Sequence, residues 1–150
     1  MRAPNSSVPD SPDPAICSGP GSPCCGTAGR PTMSDYIDRG LRRARSATLP
    51  IVGDARHDAG QFARFSLRME RGVITAVGFE VSVCGTLVAY CEVLAEWVTG
   101  LTIPAAARRI RPLDLTSALP LVPADKRDLA LLATQALMTT VIQAAKEELV

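Results

Sequence analysis

Val83-Cys84-Gly85-Thr86-Leu87-Val88-Ala89-Tyr90-Cys91-Glu92-Val93-Leu94-Ala95-Glu96-Trp97-Val98-Thr99-Gly100 is the stretch on which the fold turns, because the hydrophobic period changes inside it. Upstream, Val73 to Val83 is rich in β-branched residues and reads as a strand. From Leu87 onward the apolar residues Leu87, Val88, Cys91, Leu94, Ala95 and Val98 recur at three-and-four spacing, which predicts an amphipathic helix over 85–98. Gly100 is a natural stop for that helix. Cys84 therefore sits where a strand hands over to a helix.

Working outward, Glu70-Arg71-Gly72 has the composition of a hairpin turn, with Gly72 able to take a positive φ. Phe62 to Met69 before it alternates Ala63, Phe65, Leu67 and Met69 against polar neighbours, the period of a strand. Gly78 inside the second strand predicts a bulge. Downstream, Thr102 with Pro104 starts a short helix through Arg108, and the Pro-rich residues 110–124 read as turns. A last helix begins near Asp125 and places Leu129, Leu132, Ala133, Ala136, Leu137 and Val141 on one face. Upstream, Ser34 caps a helix reaching about Ala47, whose Arg39, Arg42, Arg43 and Arg45 read as a solvated face. Pro50 and Gly53 open a loop to about Gly60. This order predicts an α+β domain over 33–150, a small antiparallel sheet with helices packed on one face.

The whole chain of 150 residues has room for one such domain. Aromatic residues make up only 4%, so the core has to be aliphatic. A net charge of +1 gives no reason to expect nucleic acid or an anionic membrane as partner. The apolar run from Val73 to Val98 is interrupted by Glu80, Glu92 and Glu96, so no membrane span is expected there. Residues 1–32, dominated by Pro, Ser and Gly, are expected to be a disordered head that the domain does not need. It has neither a secretory h-region nor an Arg-rich leader. Cys24-Cys25 within it is either a redox or metal feature or an inconsequential thiol pair. The five cysteines do not form a disulfide framework, and a cytoplasmic location is the simpler expectation. No Ser/His/Asp set, phosphate loop or pair of acids suggests an enzyme.

Cys84-Gly85-Thr86, Ala89, Glu96-Trp97 and Gly100 resemble, without a gap, a motif of iron–sulfur cluster assembly scaffolds of the IscU/NifU type: Gly-Cys-Gly-Ser/Thr, then a helix ending Glu-Trp-x-x-Gly. Val83 stands where that family has glycine. Glu70-Arg71-Gly72-Val73-Ile74 is similar to its hairpin turn. Pro123-Ala124-Asp125-Lys126-Arg127-Asp128-Leu129 is similar to its Pro-x-x-Lys-x-His-Cys block. The resemblance implies a scaffold that takes iron, sulfur or a transient iron–sulfur cluster through Cys84, with Lys126 near the site. It implies a cysteine desulfurase and other assembly proteins as partners, with a homo-oligomer open. It also implies the losses. The family's first thiolate falls on Ala59, its carboxylate on Gln61 and its third thiolate on Leu129. An alternative is therefore a module that binds no metal and keeps the scaffold fold for docking to assembly partners.

Three further readings remain open at this level. Cys84 at a helix start suits a thiolate that ligates metal or accepts sulfur, and equally a small apolar residue in a tight turn. His57, the only histidine, completes with Cys84, Asp58 and Asp128 a set that suits iron or zinc, or else is a solvated loop residue. Cys91 lies in the apolar stripe and reads as core.

Overall fold

The computed structural model describes residues 31–44 and 48–148, so the expectations for the head and its thiol pair lie outside the described residues. The chain forms α1 (Met33–Ala44), β1 (Ile51–Val52), β2 (Arg56–Asp58), β3 (Gln61–Glu70), β4 (Val73–Val81), α2 (Gly85–Val98), α3 (Ile103–Arg109), α4 (Pro112–Ala118) and α5 (Asp128–Glu148). A short 3-10 turn at Ala124–Lys126 leads into α5.

The β3–β4 hairpin is the centre of the sheet. Arg71 and Gly72 turn it with φ of 56° and 78°, and Gly72 tolerates this geometry because it has no Cβ. β4 runs along one edge of β3, while β1 and β2 lie end to end along the other, all antiparallel. The two short strands correct the reading of 50–60 as loop throughout. The bulge also differs from expectation. Arg68 pairs with Ala76 and Met69 with Ile74, so the extra residue is Thr75, while Gly78 pairs regularly with Ser66. Gly78 instead leaves room, because a Cβ there would stand 3.2 Å from Ser66 Oγ.

Alternation along the hairpin puts Ala63, Phe65, Leu67, Val77 and Phe79 on the inner face. Helix α5 covers β1, β2 and β3, and α2 packs between α5 and α1. Helix α2 is therefore buried almost all round, not along a single stripe. Gly40 makes this possible, since a Cβ there would lie 2.5 Å from Val88 Cγ1 and 3.1 Å from the Val88 carbonyl oxygen. The covered side of α2 includes Glu92, 1% exposed, and α1 supplies its counter-charge. Arg43 Nε donates to Glu92 Oε1 at 2.6 Å and Nη2 to Oε2 at 2.9 Å, while Nη1 donates to the Val77 carbonyl at 3.0 Å. The arginine-rich face of α1 is thus not wholly solvated, which the charge run alone did not reveal. Residues 112–118 form α4 because Pro112 suits a first helical turn and Leu115 is buried beneath it. A proline-rich composition had suggested only turns.

Taken together, Ala124–Glu148 is long and apolar enough by composition to cross a membrane. Half of its most apolar window is buried within the fold, as in a core helix.

Gly53 ties β1 to α5. Its N–H donates to the Phe65 carbonyl at 3.1 Å, and Thr140 Oγ1 donates to that same carbonyl at 3.2 Å. A Cβ on Gly53 would overlap Thr140 Oγ1 and come within 2.7 Å of the Thr140 Cα. Because backbone, and not merely a rotatable side chain, stands in the way, Gly53→Ala is expected to destabilise the fold by about 2–3 kcal/mol. Urea unfolding checks this, and a loss under about 0.5 kcal/mol would show that the segment shifts freely.

Candidate functional site

The strand-to-helix junction at Cys84 is built from both ends of the hairpin. Ser82, just past β4, donates its hydroxyl to Gln61 Oε1 at 2.5 Å and accepts from the Phe62 N–H at 3.1 Å. The start of β3 is therefore held two residues from Cys84. Cys84 itself has extended backbone (φ −151°, ψ 113°) and forms the N-cap of α2. Its carbonyl accepts the first helical bond, from Val88 N–H at 2.9 Å, while its side chain caps none of the first-turn amides. The thiol is half-buried against the core. Gly85 follows at a close approach to α1, since a Cβ there would be 3.2 Å from Ile37 Cδ1. Val83, in place of the glycine of the motif, is fully exposed beside the thiol.

On the other side of Gln61, β2 and β3 form a two-residue hairpin. Asp58 pairs with Gln61 across Ala59 and Gly60, which have φ of 49° and 81°. Ala59 thus carries a left-handed backbone that glycine or asparagine would adopt more readily. His57 pairs with Phe62, with ring centroids 5.8 Å apart. His57 and Asp58 line a cleft with Asp128, Leu131, Leu132 and Gln135 of α5. Lys126 and Asp128 are exposed, and Leu129 is partly buried against the core.

The structure thus brings His57, Asp58 and Asp128 to one cleft, but Cys84 does not line it. Among the described residues no three His, Cys, Asp or Glu side chains are grouped so as to hold a metal ion. The expected Cys84/His57/Asp128 site for iron or zinc is therefore not assembled. His57 and Asp128 line the cleft on the β2 side of α5, and Cys84 is not among the residues that line it.

Cys91 is fully buried, and burial first, then Glu92, pushes its thiol well above the usual range. A thiol must be both ionised and reachable to react. Cys84 is therefore expected to alkylate at least about tenfold faster than Cys91, which waits for local unfolding. Timed iodoacetamide labelling with peptide mapping reads the ratio, and faster labelling of Cys91 would contradict this placement.

Residues with a clear electrostatic role elsewhere were missed from sequence. Besides Arg43–Glu92, Arg39 pairs with Glu96 at 3.1 Å. Burial, then a hydrogen bond to Glu92, raises the Glu96 carboxyl above the ordinary range. The Tyr90 hydroxyl is buried without a hydrogen-bond partner among the described residues, and burial raises its pKa.

The comparisons with known proteins bear on the family and the fold. The family described as NifU-like N terminal domain matches residues 33–148. A crystal structure described as a candidate iron–sulfur cluster assembly scaffold protein for the SUF system, from Fervidobacterium islandicum, is similar at a TM-score of 0.53. It has 15% identity, covering 71% of this chain and 94% of that one. A NifU-like protein N-terminal structure from Brucella abortus aligns at a TM-score of 0.46 and 22% identity, over 77% of this chain and 99% of that one. No curated protein matches the chain in sequence.

Proposed function

The chain belongs to the family of NifU-like N-terminal domains, and from that premise we propose that it serves iron–sulfur cluster assembly by presenting Cys84 as a single thiolate, with the rest of any ligand shell coming from a partner chain. The observation that carries this reading is the placement of Cys84. It is half-buried at a helix start, its side chain bonded to none of the first-turn amides, with the tied β2–β3 end beside it. Such a thiol can accept sulfur from a cysteine desulfurase or supply one ligand to iron. It cannot close a cluster shell alone, because Ala59, Gln61 and Leu129 offer no thiolate or carboxylate. The role is that of a carrier and not of a catalyst, and it suits a reducing compartment such as the cytoplasm.

Two measurements test this. Anaerobic reconstitution of the purified chain alone should leave no stable [2Fe–2S] cluster, whereas a shell complete in one chain would give about two irons per chain. Incubation with a cysteine desulfurase and cysteine should add one sulfur atom to Cys84, seen by intact mass and peptide mapping, and Cys84→Ser should abolish it. Failure of sulfur transfer together with absence of iron would favour the second reading, a docking module that binds no metal. The same three lost ligand positions support that alternative.

A further inference from the structure

Away from the thiol, Arg39, Arg42 and Arg43 of α1 meet Arg68 of β3 around a cleft of about 670 Å³. That volume falls within the range of about 300–1,000 Å³ usual for ligand clefts. Two carboxylates, Glu92 and Glu96, also line it, and both are already engaged, by Arg43 and Arg39 respectively. Arg42 and Arg68 are exposed, and their guanidinium groups have no ion-pair or hydrogen-bond partner among the described residues. Among the described residues that line it, four arginines against two glutamates leave an excess of two positive charges, although the whole chain carries only +1. The remaining lining among the described residues is apolar: Leu49, Ala76 and Val77.

We propose that this cleft docks an extended acidic segment of a partner protein, with its carboxylates on Arg42 and Arg68 and its apolar side chains on Leu49 and Ala76. Guanidinium groups match carboxylates as bidentate donors, and two free ones in a cleft with an apolar lining suit a segment mixing acidic and apolar residues. Arg43 already occupies the Val77 carbonyl on the outer edge of β4. The segment is therefore read through side chains and not by adding a strand at that point. Nucleic acid fits less well. No aromatic side chain lines the cleft for base stacking.

The surface is independent of Cys84, so the two proposals can fail separately. The probe is a fluorescein-labelled peptide of alternating glutamate and leucine, titrated with the full chain by fluorescence anisotropy. Binding should weaken with salt. It should fall at least about tenfold in Arg42→Glu/Arg68→Glu, and Cys84→Ser should leave it unaltered. Arg108→Glu/Arg111→Glu changes the net charge equally on exposed residues outside the cleft and should stay within about twofold. If the charge-reversed pair misfolds by circular dichroism, Arg42→Gln/Arg68→Gln gives the same reading with a smaller loss. No binding by the wild-type chain, equal loss in the control pair, or tighter binding of an oligothymidine through the same two arginines would each overturn the proposal.

Discussion

Arg43→Ala is expected to lower the unfolding free energy by about 3 kcal/mol, the lower end of the 3–5 kcal/mol typical when one partner of a buried ion pair is removed. Glu92 is 1% exposed and, among the described residues, has no other cation bonded to it, so truncation strands a carboxylate between α1 and α2. The Arg43 side chain is 27% exposed, so water entering the gap relieves part of the charge, which sets the lower end. Truncation also frees the Val77 carbonyl, whose bond from Nη1 would have to be replaced by water. Against a domain stability of about 5–15 kcal/mol this is a large fraction, and the melting temperature should fall by roughly 10 °C. Arg43→Met with Glu92→Leu should recover most of the loss at neutral pH, since an apolar pair of similar volume needs no counter-charge. A loss below about 1 kcal/mol for Arg43→Ala would mean that the pair behaves as a surface contact.

That pair also shows what a one-dimensional reading misses. Period and turn chemistry located the β3–β4 hairpin, the bounds of α2 and the Thr102 start of α3, because each depends on neighbours in sequence. Thr102 does accept the Ala105 N–H, at 3.4 Å. The role of Arg43 depends on Glu92, 49 residues away, and on Gly40 letting the two helices close. No local pattern separates that arginine from Arg42, which is exposed one position earlier. Likewise β1 and β2 are too short for a period and exist because β3 offers them an open edge. Helix α4 was hidden by its prolines, although Pro112 at a first helical turn is where a helix accepts one.

The candidate site was legible in a different way. Its positions were found by resemblance, and only its chemistry could be read residue by residue. The thiol at a helix start survives, while the soft donors that would surround it do not. His57 and Asp128 do come near one another, on a cleft that Cys84 does not line.

Restoring the lost donors should turn that neighbourhood into a cluster site. Gln61 is bonded to Ser82, two residues before Cys84. Ala59 lies in the turn that Asp58 and Gln61 close, and Asp58 shares a cleft with Asp128, the neighbour of Leu129. The four positions 59, 61, 84 and 129 thus stand at one end of the fold, reached through short chains of contacts. Ala59→Cys, Gln61→Asp and Leu129→Cys together supply two thiolates and one carboxylate to join Cys84, a donor set soft enough for iron. The triple variant, reconstituted anaerobically, should hold about two irons per chain with the visible absorption of a [2Fe–2S] cluster, where the wild-type chain is expected to hold none. Adding Cys84→Ala should abolish the signal. Leu129→Cys trims a side chain packed on the core and should cost roughly 1–3 kcal/mol, so folding is checked by circular dichroism first. Gln61→Asp also shortens the acceptor of the Ser82 hydroxyl, which leaves the new carboxylate free to turn toward iron. A folded triple variant that takes up no more iron than wild type would mean that the four side chains do not converge. The role of Cys84 as one member of a divided ligand shell would then lose its geometric basis, and the docking reading would stand in its place.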